Sequence, residues 1–278
     1  MRVHEIPGNE ESFDNKNRMP VFFIAHGSPM NAIQNNPFTQ TLGEIGKSLQ
    51  IKPKAVLCIS AHWLTRGTFV CTKATPEIIY DFSGFPDELY HVIYPAPSSP
   101  EMANAVMKLV PEIKGTNEWG LDHGCWSVMK HIFPDAHIPV FQLSIDYNNT
   151  MQYHFELGKK LKSLRNEGVL IIGSGNVVHN LRLLNWSDIT TVPWSTANPF
   201  DWAVEFDSWV KDKIDKRDFE SLMNYEKMGK AAKLAVPTVD HYVPLLYCLG
   251  MAEPEEKITY PFESIVFGSL SMRCVKIG

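Results

Sequence analysis

The sequence predicts an α/β fold: a three-layer sandwich with a mostly parallel or mixed central sheet, helices on both faces, and a single domain. Three observations carry this. Short continuous apolar runs rich in β-branched residues alternate along the chain with patterns of helical period. The composition is 44% hydrophobic and 21% charged over 278 residues, an ordinary globular balance that excludes a disordered or fibrous chain. No repeat, low-complexity tract or linker divides residues 19–278, and a chain of this length holds a large core.

Residues 1–18, rich in Glu, Asn and Asp, are expected to be a flexible N-terminal extension. PVFFIA (20–25) is the first strand and runs into the turn cluster HGSP. PFTQTLGEIGKSLQ (37–50) sets Leu42, Ile45 and Leu49 on one helical face. KAVLCISAHW (54–63) is a second strand and FVCT (69–72) a short third. Residues 76–100 are long, aromatic and proline-rich, a poor strand and a poor helix. A loop of that length is uncommon unless it is a lid or binding loop, and its Tyr80, Phe82, Phe85, Tyr90 and Tyr94 either line a pocket for a planar ligand or simply pin the loop down. Helices follow at 99–110, where Ser99-Pro100 marks the start, and at 125–133. IPVFQLSID (138–146) is a strand, 150–168 a helix ending at Gly168, and GVLIIGSG (168–175) another strand. A helix at 198–215 puts Trp202, Phe206, Trp209 and Val210 on one face, and SIVFGSLSM (264–272) is expected to be the closing strand. Strands and helices in this alternation build a layered sheet.

Charge and cysteine content exclude several functions. The formal net charge is -5, from 26 Lys+Arg against 31 Asp+Glu, so neither a nucleic-acid footprint nor a polybasic membrane patch is present. Five scattered cysteines without a close pair fit a reducing compartment. With no apolar targeting segment and no bilayer-length apolar run, a cytoplasmic location is expected. Oligomeric state is not legible in the sequence.

The ten histidines carry the chemical signal. His26 and His62 each stand at the end of a predicted strand, and His179 follows a third by a few residues. Ligands of open α/β sheets bind beyond the carboxyl ends of strands, so these three can converge there. His123 in WGLDHGCW and His241 in PTVDHYVPLL stand before helices and can face the same crevice. Neutral imidazole is a common ligand of zinc, iron and copper, and an imidazole outside the ligand set moves protons near neutral pH. Any one of these histidines taken alone is most simply a hydrogen-bonded structural residue. Five in small-residue turns at element ends are not. His131 and His154 fall inside helices and read as structural. Asp122 and Asp240 each precede a candidate histidine and either cap a helix or orient the ring, with capping preferred. Zinc-finger CxxC pairs, HExxH, G-x-S-x-G, G-x-G-x-x-G and Walker A patterns are all missing. Cys125 reads as a small buried residue at a helix start.

Nine motifs in order, HGSPM (26–30), SAHW (60–63), YDFSGFP (80–86), YPAPSSP (94–100), WGLDHGCW (119–126), QLSID (142–146), GSGNVVHNL (173–181), DHYVPLLY (240–247) and GSLSM (268–272), together resemble the 4,5-DOPA extradiol dioxygenase family of class III extradiol ring-cleavage dioxygenases. The resemblance covers residues 19–278. It implies an α/β sandwich, one divalent metal ion per chain, and oxidative opening of a catechol by O2 to a muconic semialdehyde. His26 and His62 resemble the two metal ligands, and His241 stands where the wider class has a glutamate ligand. His179 matches a site histidine that completes the metal shell or hydrogen-bonds the substrate, and His123 resembles the acid–base histidine. Tyr80 and Phe82 fall to substrate binding. The implied partners are a catechol and O2, with no nucleic acid and no membrane. Fe(II) is expected for dioxygenase activity. Zn(II) also suits a three-histidine set, which keeps a zinc hydrolase on the same histidines open as the alternative.

Overall fold

A strand sends successive side chains to opposite faces. In β1 (Val21–Ala25) this places Val21 and Phe23 in one apolar core and Phe22 and Ile24 in another. The computed structural model, which describes residues 18–185, 194, 196 and 198–278, extends that alternation across a sheet buried on both faces. After β1 come α1 (Pro37–Ser48), β2 (Ala55–Thr65), β3 (Phe69–Cys71), α2 (Pro100–Leu109), β4 (Lys114–Thr116), α3 (His123–Ile132), β5 (Val140–Asp146), α4 (Met151–Leu161) and β6 (Val169–Gly175). The second half holds α5 (Asp201–Asp215), α6 (Phe219–Met223), α7 (Lys230–Ala235), α8 (Val243–Gly250), β7 (Ile258–Thr259), β8 (Ile265–Val266), β9 (Leu270–Ser271) and β10 (Val275–Ile277).

The main sheet has the order β4-β3-β5-β2-β6-β1-β10-β7. Its centre, β5-β2-β6-β1, is parallel throughout, and β3 and β10 join it antiparallel on either side. Leu42 and Ile45 of α1 and Trp126 and Met129 of α3 fill the core on one face. Ala103 and Val106 of α2, Leu157 and Leu161 of α4, Phe206 of α5 and Leu246 of α8 fill the other. The predicted three-layer α/β sandwich with a mixed sheet is the observed architecture.

Local chemistry sets the element ends. Asn36 and Thr39 form a reciprocal capping box on α1, with Pro37 in its first turn. The predicted helix 150–168 is α4 followed by a 3₁₀ segment, Lys162–Glu167, and Gly168 ends it at φ +88°. The predicted closing strand 264–272 is a correction. Phe267 and Gly268 take positive φ, the chain cannot stay extended through them, and β8 and β9 fold back as a separate two-stranded pair. The last strand in the chain to join the main sheet is β10, which lies between β1 and β7. Residues 1–17 of the expected N-terminal extension lie outside the described residues. Arg18 is described, and its Nε donates to the Asn166 side chain at 3.1 Å. No helix among the described residues is long and apolar enough to cross a membrane.

Candidate metal centre

The parallel strands all present their carboxyl ends at one edge, and the site is built there. His26 follows β1 directly; its N–H donates to the Gly175 carbonyl at 3.2 Å, continuing the β1–β6 ladder by one residue. Gly27, at φ +63°, then turns the chain away. His62 is inside β2, at an irregularity. Ile59 pairs with Leu143 and Leu64 with Ile145, so Ser60–Trp63 oppose a single residue of β5. A bulge of this kind bends the strand and re-aims its side chains, and here it turns His62 into the crevice. His123 is the first residue of α3, which is capped by Asp122. His241 precedes α8, and its carbonyl accepts from Asn176 N–H at 2.9 Å. A Cβ on Gly175 would overlap that carbonyl, so glycine is required there. His179 follows β6, its N–H donating to Ala235 at 2.9 Å.

All five histidines meet. Ring centroids of His62 lie 4.0 Å from His123 and 5.0 Å from His241, and those of His26 lie 4.8 Å from His62 and 5.1 Å from His241. Ligand atoms of His26, His62 and His123 fall within 4.8 Å of one another. His179 stacks on His241, centroids 3.4 Å apart and planes within 6°.

Hydrogen bonds set the tautomers. Ser174 Oγ donates to the Gly124 carbonyl at 2.6 Å, which leaves it an acceptor toward His26 Nδ1 at 2.9 Å. Nδ1 of His26 therefore carries the proton, and Nε2 presents a lone pair. His123 Nδ1 donates to Asp81 Oδ2 at 2.9 Å and His241 Nδ1 donates to Asp240 Oδ2. The same Asp81 oxygen lies 3.3 Å from His62 Nδ1. His26 Nε2 and His62 Nε2 then face each other at 3.0 Å. That spacing suits a hydrogen bond when His62 carries its proton on Nε2, and a cation held by both nitrogens when it carries it on Nδ1. The donor set fits a divalent ion of the imidazole-binding group, such as zinc or iron.

The electrostatics agree. Burial lowers the pKa of His26 and His241 well below the ordinary range, and the neighbouring imidazoles add to it. Burial, reinforced by His123, pushes His62 down to about 4 against the pull of Asp122, Asp81 and Asp240; burial brings His179 to about 4 as well. These four rings are neutral at pH 7 and available as ligands. Burial works to raise Asp81, but its hydrogen bonds from the His123 ring and the His123 backbone N–H outweigh it and hold the carboxyl below its usual value.

The two aspartates divide differently from the sequence expectation. Asp122 does cap α3, accepting from Cys125 N–H at 3.2 Å, and also takes Ser60 Oγ at 2.6 Å and Gln142 Nε2 at 2.7 Å. Asp240 is no cap: Tyr242 is the N-cap residue of α8, and Asp240 is bonded to the His241 ring instead. Asp81 was not singled out by sequence; the one available signal was a carboxylate between two aromatics in YDFSGFP. Phe82 stands edge-to-face with His123 at 5.6 Å and 84°, and with Phe85 at 5.3 Å. Tyr80 is one ring further out; its hydroxyl donates to the Val92 carbonyl at 2.6 Å. Tyr94 is buried, its hydroxyl donating to the Phe133 carbonyl at 3.1 Å. His154 is structural as expected, its Nδ1 3.0 Å from the Tyr247 hydroxyl.

Comparison with known proteins gives one consistent result. Residues 20–272 match the family described as the catalytic LigB subunit of aromatic ring-opening dioxygenase. A relative named 4,5-DOPA dioxygenase extradiol, from Escherichia coli (strain K12), is 43% identical over 267 residues, spanning 94% of this chain and 95% of the relative. A protein of the same name from Beta vulgaris is 37% identical across 85% of this chain and 88% of its own length. The crystal structure of an uncharacterized protein from Escherichia coli K12 superimposes with a TM-score of 0.80 at 41% identity, covering 94% of this chain and all of that one.

Proposed function

The chain belongs to the LigB family of aromatic ring-opening dioxygenases, and on that premise we propose how its residues divide the work of an extradiol enzyme that opens a catechol, DOPA or a close relation, with O2. The observation that carries the reading is the set of imidazoles whose outer nitrogens are bound by Ser174, Asp81 and Asp240, with ligand atoms of His26, His62 and His123 within 4.8 Å of one another and the His241 ring 5.0 Å from His62 and 5.1 Å from His26. In this reading His26, His62 and His241 hold the metal ion. When bound, iron(II) brings catechol and dioxygen into one coordination sphere and passes electron density between them. Zinc binds such a set equally well but has no redox chemistry.

The stacking supports assigning His241 rather than His179 as the ligand. Stacked face to face, the two rings cannot both turn an in-plane lone pair to one point, and His241 is the one whose ring lies 5.1 Å from His26 and 5.0 Å from His62 and whose Nδ1 is held by Asp240. His179 is left to hydrogen-bond the substrate. His123, protonated on Nδ1 toward Asp81, has Nε2 free to take a catechol proton and later return it to the opened product. Phe82 borders His123 and gives the catechol ring an apolar wall, with Tyr80 fixing the loop behind it.

One observation favours a second assignment: the ligand atoms of His26, His62 and His123 all lie within 4.8 Å of one another, which would make His123 the third ligand. His241→Ala and His123→Ala separate the two. The proposed division expects loss of bound metal in H241A, and full metal content without turnover in H123A. The reverse pattern would move His123 into the ligand set. Oxygen uptake by protein loaded anaerobically with iron(II), matched one-to-one by a yellow semialdehyde and missing with zinc, tests the reaction itself.

A further inference from the structure

We infer that Asp81 is the positioning residue of the proton-transferring histidine: its carboxylate, carried on the aromatic loop, holds His123 with Nδ1 protonated and Nε2 open toward the substrate, while bracing His62 from the same oxygen. The inference rests on the role proposed for His123 above. Asp81 Oδ1 accepts the backbone N–H of His123 at 2.9 Å and Oδ2 accepts from Nδ1, also at 2.9 Å. One carboxylate thus grips both the main chain and the ring of one residue, and the ring cannot rotate or change tautomer without breaking a charge-assisted bond. Oδ2 is shared with His62 Nδ1 at 3.3 Å. The neighbouring Asp122 cannot do this work, because its oxygens are taken by Ser60, Gln142 and the Cys125 N–H.

The carboxylate is itself held in place. Ile79 N–H donates to Leu121 O at 2.7 Å, Leu121 N–H to Glu77 O at 2.8 Å, and the Trp126 indole to Ile79 O at 3.1 Å. A short bridge therefore fastens the loop two residues before Asp81 to the chain two residues before His123. Gly120 permits it, since a Cβ there would overlap the Glu77 carbonyl. Loop position and ring tautomer are coupled through this one contact.

The test uses Asp81→Asn in the full chain. The amide keeps the carboxylate's shape, but if its oxygen still takes the backbone N–H, its NH₂ group faces His123 Nδ1 and favours the opposite tautomer. Two-bond ¹H–¹⁵N correlations of the metal-free protein read the ring directly and need no turnover. The expected result is Nδ1–H in the wild type and Nε2–H in D81N, with kcat of the iron-loaded enzyme down about 10²–10³-fold and the Michaelis constant for the catechol within about threefold. Asp81→Ala should regain turnover with added formate, which returns a carboxylate to the gap. An unchanged tautomer with kcat within about threefold in D81N, or no formate response in a folded, metal-replete D81A, would overturn the inference. A wild type that turned over no catechol would defeat the reading of His123 and leave the tautomer to decide the role of Asp81.

Discussion

Replacing Ser174 with Ala tests the metal site through a residue that touches no metal. Ser174 is fully buried, and its hydroxyl joins the Gly124 carbonyl, at 2.6 Å, to His26 Nδ1, at 2.9 Å. Gly124 lies in the first turn of α3, so its carbonyl keeps the helix's own hydrogen bond when the serine is lost. His26 Nδ1–H keeps nothing, and an orphaned buried donor costs about 1–3 kcal/mol. The metal-free ring has an escape. It can move its proton to Nε2 and donate across the 3.0 Å gap to His62 Nε2, leaving only an unpaired acceptor behind. Destabilisation of the metal-free protein should then stay near 1 kcal/mol by urea titration. Metal binding must undo that escape, so the larger loss falls on affinity: about 10–100-fold, or ~1.4–2.7 kcal/mol, by chelator competition with zinc. A metal-free protein weakened by 3 kcal/mol with unchanged zinc affinity would refute the argument and make Ser174 a packing residue.

Further predictions concern the surroundings. Gly175→Ala should cost about 1–3 kcal/mol of stability and lower metal occupancy together, since the new methyl meets the His241 carbonyl; calorimetry and metal analysis on one preparation check both. Asp207→Ala should destabilise the fold by about 1.5–3 kcal/mol, because the buried Arg273 guanidinium loses its bond to Asp207 through Nε at 3.1 Å and keeps Glu263 as its carboxylate partner, while turnover per folded molecule stays constant. Burial pushes His154 down to about 4, so the unfolded chain takes up this proton first as pH falls below 6.5. Stability should drop between pH 6.5 and 4 by up to about 3 kcal/mol from this group, and His154→Gln should flatten that limb of the urea-midpoint profile. Chelation of the bound metal should lower the melting temperature, with readdition restoring it; at 100 times the dissociation constant the ion adds about 2.7 kcal/mol.

Much of this architecture is written in local sequence. The runs that became β1, β2, β5 and β6 are apolar without alternation because both faces are covered, and Phe22 and Phe23 enter different cores from adjacent positions. The histidines were legible because His26, His123, His179 and His241 stand near element ends and His62 near the end of its apolar run, although β2 continues past it to Thr65. What the sequence hid depends on distant partners or on backbone geometry. The bulge at Ser60–Trp63 exists only relative to the register of β5, so the run 54–63 looks like a plain strand. The run 264–272 looks equally strand-like, but Phe267 and Gly268 adopt positive φ. Asp81 stands in a loop without periodicity and meets a histidine 42 residues away. Asp122 and Asp240 occupy the same place before a histidine, yet the first caps a helix and the second holds a ring, because only α3 has its N-cap there.

These placements bear on the charge at the centre. A set of two histidines and one carboxylate leaves a bound divalent ion with one positive charge, whereas three neutral imidazoles leave two. Here the carboxylates have not been discarded but moved outward by one ring: Asp81 stands behind His123 and His62, and Asp240 behind His241. From there they would make the imidazoles more basic and temper the field of an ion held by His26, His62 and His241 without ligating it themselves. In the proposed assignment a position next to the ion would thereby be kept for the catechol, and the excess positive charge would favour its deprotonated form. The arrangement also separates functions that a direct carboxylate ligand would merge. Loss of Asp240 should fall on metal retention, and loss of Asp81 on proton transfer.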